Sequence, residues 1–225
     1  MKKRLLVIGG HGSGEVAMSV FRDYNIVKNE WIIEGFLSDV KTPGEYLGKY
    51  KIVGATEEIL DYVNKGYYIH YALHFHAKKK YERVKQFKQF NIPLEANASV
   101  VHPKAYINPS TKIGYGVSIS PFVYTSISTE VGNYVHIYPH ATLSHESVVA
   151  DFCTVAVHTV VGGRDLLEEG VHAGANSCIR EDVKIGRYSI LGLGSTVIKD
   201  VKEFSIVAGN PAKMIGKVRQ DVECE

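Results

Sequence analysis

Residues 130–149 read EVGNYVHIYPHATLSHESVV, with an aliphatic side chain at Val131, Ile137, Leu143 and Val149 and a small or β-branched one at Val135, Ala141 and Ser147. A spacing of six belongs neither to an α-helix nor to an ordinary alternating strand. Extended in both directions, the register runs without insertion from Val101 to Val197, and fifteen of its seventeen positions are Val, Ile or Leu. The place four residues later is small or β-branched in every repeat except the one that holds Asp165. This is the pattern of a parallel β-helix built from hexapeptides, with one short strand and one corner per repeat and three repeats per coil. The aliphatic fills the prism interior. Glycine often follows it, as in IGYGVS, VGNYVH, IGRYSI and LGLGST, serving corners that need positive φ or close approach of coils. The period leaves the hand of the helix open.

Residues eighteen apart then lie on neighbouring coils, about 4.8 Å from each other. His145 has Gly163 above it and Ile127 below, so a histidine stands beside a bare notch in the wall. His140 stacks on His158, and His136, Thr154 and His172 form a further column. His145 is followed by Glu146, a carboxylate able to orient the ring and stabilise its charged form, and an imidazole that titrates near neutrality can deprotonate an amine or hydroxyl. No serine or cysteine nucleophile is paired with it, which favours direct transfer over an acyl-enzyme.

Ahead of the repeats, residues 1–97 alternate apolar runs with amphipathic stretches. RLLVIG (4–9), WIIEGFL (31–37) and YYIHYAL (67–73) read as strands, and EVAMSVFRDY (15–24), ATEEILDYVNK (55–65) and AKKKYERVKQFKQF (77–90) as helices. That alternation predicts a small Rossmann-like α/β domain over 1–97, with a parallel sheet of at most five strands, ahead of a β-helix domain with a short tail over 98–225. GGHGSGE (9–15) follows the first strand and opens the first helix. Gly10, Gly12 and Gly14 permit a tight turn whose N–H groups suit an anion. The spacing is not that of a dinucleotide fingerprint, and Asp39, at the end of the second strand, stands where an acidic residue meets a ribose.

Composition restricts the rest. With 45% hydrophobic and 22% charged residues and a formal charge of +2, the chain is neither disordered nor collagen-like, and it carries no sign of a nucleic-acid partner. The apolar run Leu5–Ile8 is too short for a signal peptide or a membrane span. Cys153, Cys178 and Cys224 are odd in number and lack CxxC spacing. A soluble, cytoplasmic protein without structural disulfides is expected.

Taken together, VIGGHGSGEV, GFLSD, VHPKAYI, LSHESVVADF and VAGNPAKMI resemble the bacterial sugar acetyltransferases of the left-handed hexapeptide-repeat class, typified by sialic acid O-acetyltransferases and by the nucleotide-aminosugar N-acetyltransferases of the bacillosamine and perosamine type. The resemblance implies an N-terminal domain that binds a nucleotide-linked amino sugar, β-helices that form a homotrimer, and acetyl-CoA in the groove between subunits. It implies His145 as general base with Glu146 as its partner. It implies Gly10, His11, Gly12, Ser13 and Asp39 as holders of the nucleotide sugar, and Thr154, Gly163, Gly174, Gly192, Gly194 and Lys213 along the CoA groove. Thr154 stands where some relatives carry a histidine, with His172 one coil along in the same column. ALHFHAK (72–78) replaces the usual glycine-containing turn. A sugar O-acetyltransferase is the main alternative. A zinc hydratase of the γ-carbonic-anhydrase type would use a histidine pair spaced as His140 and His145 are, but the preceding coil, Phe122–Ile127, has no third histidine, and no metal is expected.

Overall fold

The structure is a computed structural model that describes residues 2–73 and 77–219. The N-terminal part is an α/β layer. Strands β1 (Lys3–Ile8), β2 (Trp31–Leu37), β3 (Tyr46–Leu47), β4 (Tyr50–Gly54) and β5 (Tyr68–Tyr71) form one sheet in the order β3-β4-β2-β1-β5. All pairings are parallel except β3 with β4, which close a short antiparallel hairpin at the sheet edge. Helix α1 (Ser13–Lys28) buries Ala17, Met18, Val20 and Phe21, an apolar stripe at helical spacing, and ends on Asn29 in the left-handed region, whose N–H returns to the Asn25 carbonyl. Helices α2 (Ile59–Asn64) and α3 (Lys80–Lys88) follow. The segment ALHFHAK lies partly outside the described residues.

From Val100 the chain winds as a left-handed parallel β-helix of seventeen two-residue strands, from Val100–Val101 to Thr196–Val197. In each strand the second residue is the first place of the six-residue register, aliphatic in all but Thr125 and Ala173, and points inward, while the strand's first residue points out. Pairing is eighteen residues apart throughout, as in Tyr124 with Thr142 and His136 with Thr154. Inside, Ile119, Val131, Ile137, Leu143, Val155 and Leu167 belong to one continuous core, each such side chain contributing about 1.5–3 kcal/mol by its burial. Asp165 is fully buried at a corner, its carboxylate accepting the N–H of Gly162 at 2.7 Å and of Val183 at 2.9 Å. Burial nevertheless pushes its carboxyl up to about 6.

The corners divide their work differently from expectation. The left-handed conformation falls on the fourth place of every repeat from Gly116 to Gly194, carried by Phe122, Tyr134, His140, Glu146, Phe152 and His158 among others, and by glycine at Gly116, Gly170 and Gly194. The glycines that directly follow the aliphatic answer to close coil approach instead. A Cβ at Gly174 would stand 2.5 Å from the Leu191 carbonyl oxygen, and no rotamer relieves that contact.

The prism has three faces. The first, with outward residues Ser118, His136, Thr154, His172 and Ile190, is covered by the α/β layer. The second, with Tyr106, Tyr124, Thr142, Val160 and Cys178 outward, is open. The third bears Lys112, Glu130, Val148, Leu166 and Lys184, with ion pairs between neighbouring coils at Lys112–Glu130 and Glu168–Lys184, each at 2.6 Å. A hairpin of Ser205–Gly209 and Ala212–Lys217 extends the covered face at its last coil. Docking of the α/β layer is aromatic and polar. Phe87 meets Tyr134 edge-on, Tyr134 stacks on Phe152 at 4.6 Å, and Tyr81 meets Tyr188 and Phe204. The buried His70 donates through Nδ1 to the Ala98 carbonyl at 2.9 Å, and burial pushes it down to about 4. The His136 Nε2 donates to the Tyr71 carbonyl at 3.1 Å.

Candidate active site

His145 projects from the corner between the open and third faces, half-exposed. Its ring lies over the backbone of Gly163, where a Cβ would stand 2.6 Å from Nε2 and 2.7 Å from Cε1. The notch is therefore filled by the imidazole itself. Glu146 carries its carboxylate 3.5 Å from Nδ1 of His145, in ion-pair range and longer than a good hydrogen bond. Backbone bonds pin the corner, with the Arg164 N–H on the His145 carbonyl and the Glu146 N–H on the Ile127 carbonyl, both at 2.9 Å. One coil on, Arg164 grips Asp182 through Nε and Nη2 at 2.7 and 2.8 Å, which holds that carboxyl below its usual range. Among the described residues Nε2 of His145, the ring atom nearest the Gly163 notch, makes no hydrogen bond, which leaves it able to take a proton from a ligand.

A cavity of about 540 Å³ opens at the carboxyl edge of the α/β sheet. One wall is made of strand ends, with Gly9 and Gly10 after β1, Ser38 and Asp39 after β2, and Thr56 and Glu57 after β4; helix α3 and the residues after it supply Arg83, Gln86, Gln89 and Phe90 opposite. Asp39 accepts the Thr56 N–H at 2.8 Å through Oδ1, leaving Oδ2 for a ligand. Gly10 and Asp39 are thus brought together. His11, Gly12 and Ser13 are not part of this lining. His11 is exposed and pairs with Glu15 at 3.5 Å, and Glu15 also receives the Gly12 N–H, so the mouth of α1 holds its own carboxylate.

The residues expected along the CoA groove separate. Gly163 sits under His145. Gly174, Gly192 and Gly194 lie on the other edge of the open face, the corner that also carries Phe122, His140 and His158 as a stacked ladder of rings 5.0 and 4.8 Å apart. Gly194, at φ 63°, faces open space. Lys213 lines a separate 400 Å³ cavity with Lys199 and Lys202 at the last coil. Thr154 departs from expectation. It is buried on the covered face, where its hydroxyl accepts a hydrogen bond from Nζ of Lys80 at 2.8 Å, because the α/β layer docks across its column, and this takes it out of any solvent-facing groove of the chain.

Lys80 was missed by composition-based reading. It is fully buried, donates also to the Val171 carbonyl at 3.3 Å, and has no carboxylate in ion-pair range among the described residues. Burial pushes its ammonium down to about 7 and the neighbouring Cys153 thiol up to about 12. Its spacing of four and seven residues from the buried Val84 and Phe87 was the available signal, hidden in a basic run. Among the described residues there is no cluster of three or more side chains able to hold a metal, and no helix long and apolar enough to cross a membrane.

No family model matches the chain. A dTDP-3-amino-3,6-dideoxy-α-D-galactopyranose 3-N-acetyltransferase of Aneurinibacillus thermoaerophilus is 40% identical over 58 residues, 26% of this chain and 30% of that protein. A 2,3,4,5-tetrahydropyridine-2,6-dicarboxylate N-acetyltransferase of Clostridium perfringens is 47% identical over 53 residues, 24% of this chain and 22% of that one. The matches thus span under a third of those relatives. Over nearly its whole length the chain superposes on the acetyltransferase domain of PglB from Neisseria gonorrhoeae (TM-score 0.82, 21% identity, 95% of this chain and 100% of that one). It is also similar to PerB from Caulobacter crescentus in complex with CoA and GDP-perosamine (TM-score 0.68, 20% identity, 94% and 97%). The shared property these establish is the fold, an α/β layer ahead of a left-handed β-helix.

Proposed function

We propose that this chain is an acetyl-CoA-dependent N-acetyltransferase acting on the amino group of a nucleotide-linked amino sugar of the 4-amino-4,6-dideoxy kind, with His145 as general base. The observation that carries the reading is the seating of His145 on bare Gly163 at an open corner, beside Glu146 and apart from any nucleophile. The substrate ammonium gives a proton to Nε2, directly or through water. The neutral amine attacks the thioester carbonyl, and the Gly163 N–H, which donates to no group among the described residues, meets the developing oxyanion. Collapse expels CoA as its thiolate, which takes up the proton from His145, while the attacking nitrogen releases its second proton to water and is left as the neutral amide. Solved structures of the same fold hold acetyl-CoA in one case, and CoA with GDP-perosamine in another, in keeping with this chemistry.

The reading includes a homotrimer. The open face exposes Tyr106, Tyr124 and Val160, and its two edges expose Phe122, Ile127 and Leu193, an apolar strip that water does not favour. A three-fold ring with the open faces inward apposes the His145 corner of one subunit to the Gly192–Gly194 corner of the next, which adjoins that subunit's α/β layer. Base, CoA-groove glycines and sugar-nucleotide cavity then converge although one chain keeps them apart. The test is CoA release with acetyl-CoA and UDP-, GDP- or dTDP-linked 4-amino sugars, with free sialic acid as control. His145→Ala is expected to lower kcat by roughly 10²–10⁴-fold with the oligomer intact. Turnover retained in that variant removes the base assignment, and acetylation of sialic acid alone replaces the amine by a hydroxyl acceptor.

A further inference from the structure

The cavity at the sheet edge has an uneven charge. Its strand-end wall carries two carboxylates, Asp39 and Glu57, while among the described residues Arg83 is the one cationic side chain in the lining. Arg83 stands on α3 and lines the cavity together with Gly10. Its Nη1 donates to the Leu73 carbonyl at 2.5 Å, and the Tyr71 hydroxyl donates to the Arg83 carbonyl at 3.0 Å, so both the guanidinium and its backbone are tied to the end of β5. Among the described residues Nε and Nη2 donate to nothing, which leaves two parallel donors of a planar fork, the geometry that phosphate oxygens accept. The alternative anion site, the mouth of α1, is weakened by the carboxylate of Glu15, which takes the Gly12 N–H and pairs with His11. Neither Gly12 nor His11 reaches the cavity.

We infer that Arg83 is the diphosphate-binding residue of this cavity, clamping a nucleoside diphosphate against the Gly9–Gly10 backbone while Asp39 Oδ2 accepts from the ribose. This rests on the reading of the cavity as a sugar-nucleotide site and adds to it the element that recognises the charge. Phosphate selection is moved from the glycine turn to helix α3. The ligand is thereby an anionic nucleotide rather than a nucleoside or a free sugar, since a fork with two free donors opposite two carboxylates gains little from a neutral ligand.

Calorimetric titration of UDP, GDP and dTDP, and of the matching nucleosides, separates the possibilities without relying on turnover. The wild-type chain is expected to bind one diphosphate at least about 10-fold more tightly than its nucleoside, an advantage that shrinks as salt rises. Arg83→Gln abolishes that advantage and its salt dependence, and Arg83→Lys, which keeps the charge without the fork, retains part of it. Acetyl-CoA binding and the thermal midpoint stay unchanged in the variant used. Diphosphate affinity that survives in Arg83→Gln overturns the assignment and leaves the acetyltransferase reading standing. A wild-type chain that binds none of the three nucleotides, yet acetylates an amino sugar through His145, overturns the sugar-nucleotide cavity together with this inference.

Discussion

The imidazole of His145 stands where a side chain at position 163 would be, so the ring's position and the bareness of Gly163 are one feature of the fold. The three atoms nearest an alanine Cβ at 163 all belong to the His145 ring, a side chain able to turn away, and not to backbone. Gly163→Ala is expected to lower kcat by about 10²-fold through displacement of the base by about 1 Å. It should leave the thermal midpoint nearly unchanged, as parallel melting and steady-state assays will show; loss of both together would make the glycine a folding requirement. This pairing was legible in the sequence, because the eighteen-residue coil converts numbering into height. The fate of Thr154 was not, since nothing in a hexapeptide tells which of three equivalent faces another part of the chain will cover. The place of Glu15 was not legible either: a glycine-rich turn reads as a bare anion site, and only the structure shows the Glu15 carboxylate beside His11 and the Gly12 N–H.

At the scale of elements, α3 does two jobs at once. Its first residue, Lys80, is sunk into the β-helix wall against Thr154 and near Cys153, in the column of His136 and His172, and its later turns line the cavity. Lys80 has a folded pKa of about 7 against an ordinary 10.5, so between those values the unfolded chain binds the extra proton. Stability therefore rises with pH across that window and is lost as pH falls towards 7, with a limiting slope of about 1.4 kcal/mol per pH unit. Lys80→Met is expected to remove that slope and to be most stabilising, relative to wild type, at the low end of the window. Urea unfolding at pH 7, 8.5 and 10 measures this, and parallel slopes in the two proteins would refute it. The helix was expected from its period, and Lys80 shared that period with Val84 and Phe87. Short elements escaped: β3 and β4 in YLGKYKIVG are too brief and too polar for an apolar run to mark them. At the corners, left-handed φ falls on Phe, Tyr, His and Glu, at a cost of about 1–2 kcal/mol per residue that only closure of the coil explains.

For the whole molecule, the separation of cavity and base is the decisive arrangement. The α/β layer is fastened to the covered face, whereas His145 leaves the opposite edge of the open face. A trimer that joins them predicts complementation. Two inactive chains, His145→Ala and a cavity variant such as Asp39→Ala, should recover roughly a quarter of the wild-type rate when assembled at random, because each site draws on two neighbouring chains. Gel filtration establishes that mixed trimers form and an acetyl-transfer assay reads the recovery; no recovery from verified mixed trimers would place base and cavity in a single chain.

The unbroken eighteen-residue register also bears on how the chain is made. Each coil touches only the coils before and after it, so the prism is able to grow in order of synthesis, every new turn laid on an edge already formed. The α/β layer emerges first and supplies a wall against which the middle coils settle. Until the last turn arrives, three strand edges stay unpaired and open to other nascent chains. The terminal hairpin of Ser205–Gly209 and Ala212–Lys217 closes one of the three, which makes the final twenty residues of the described chain a seal against misassembly as well as a border to the Lys213 cavity.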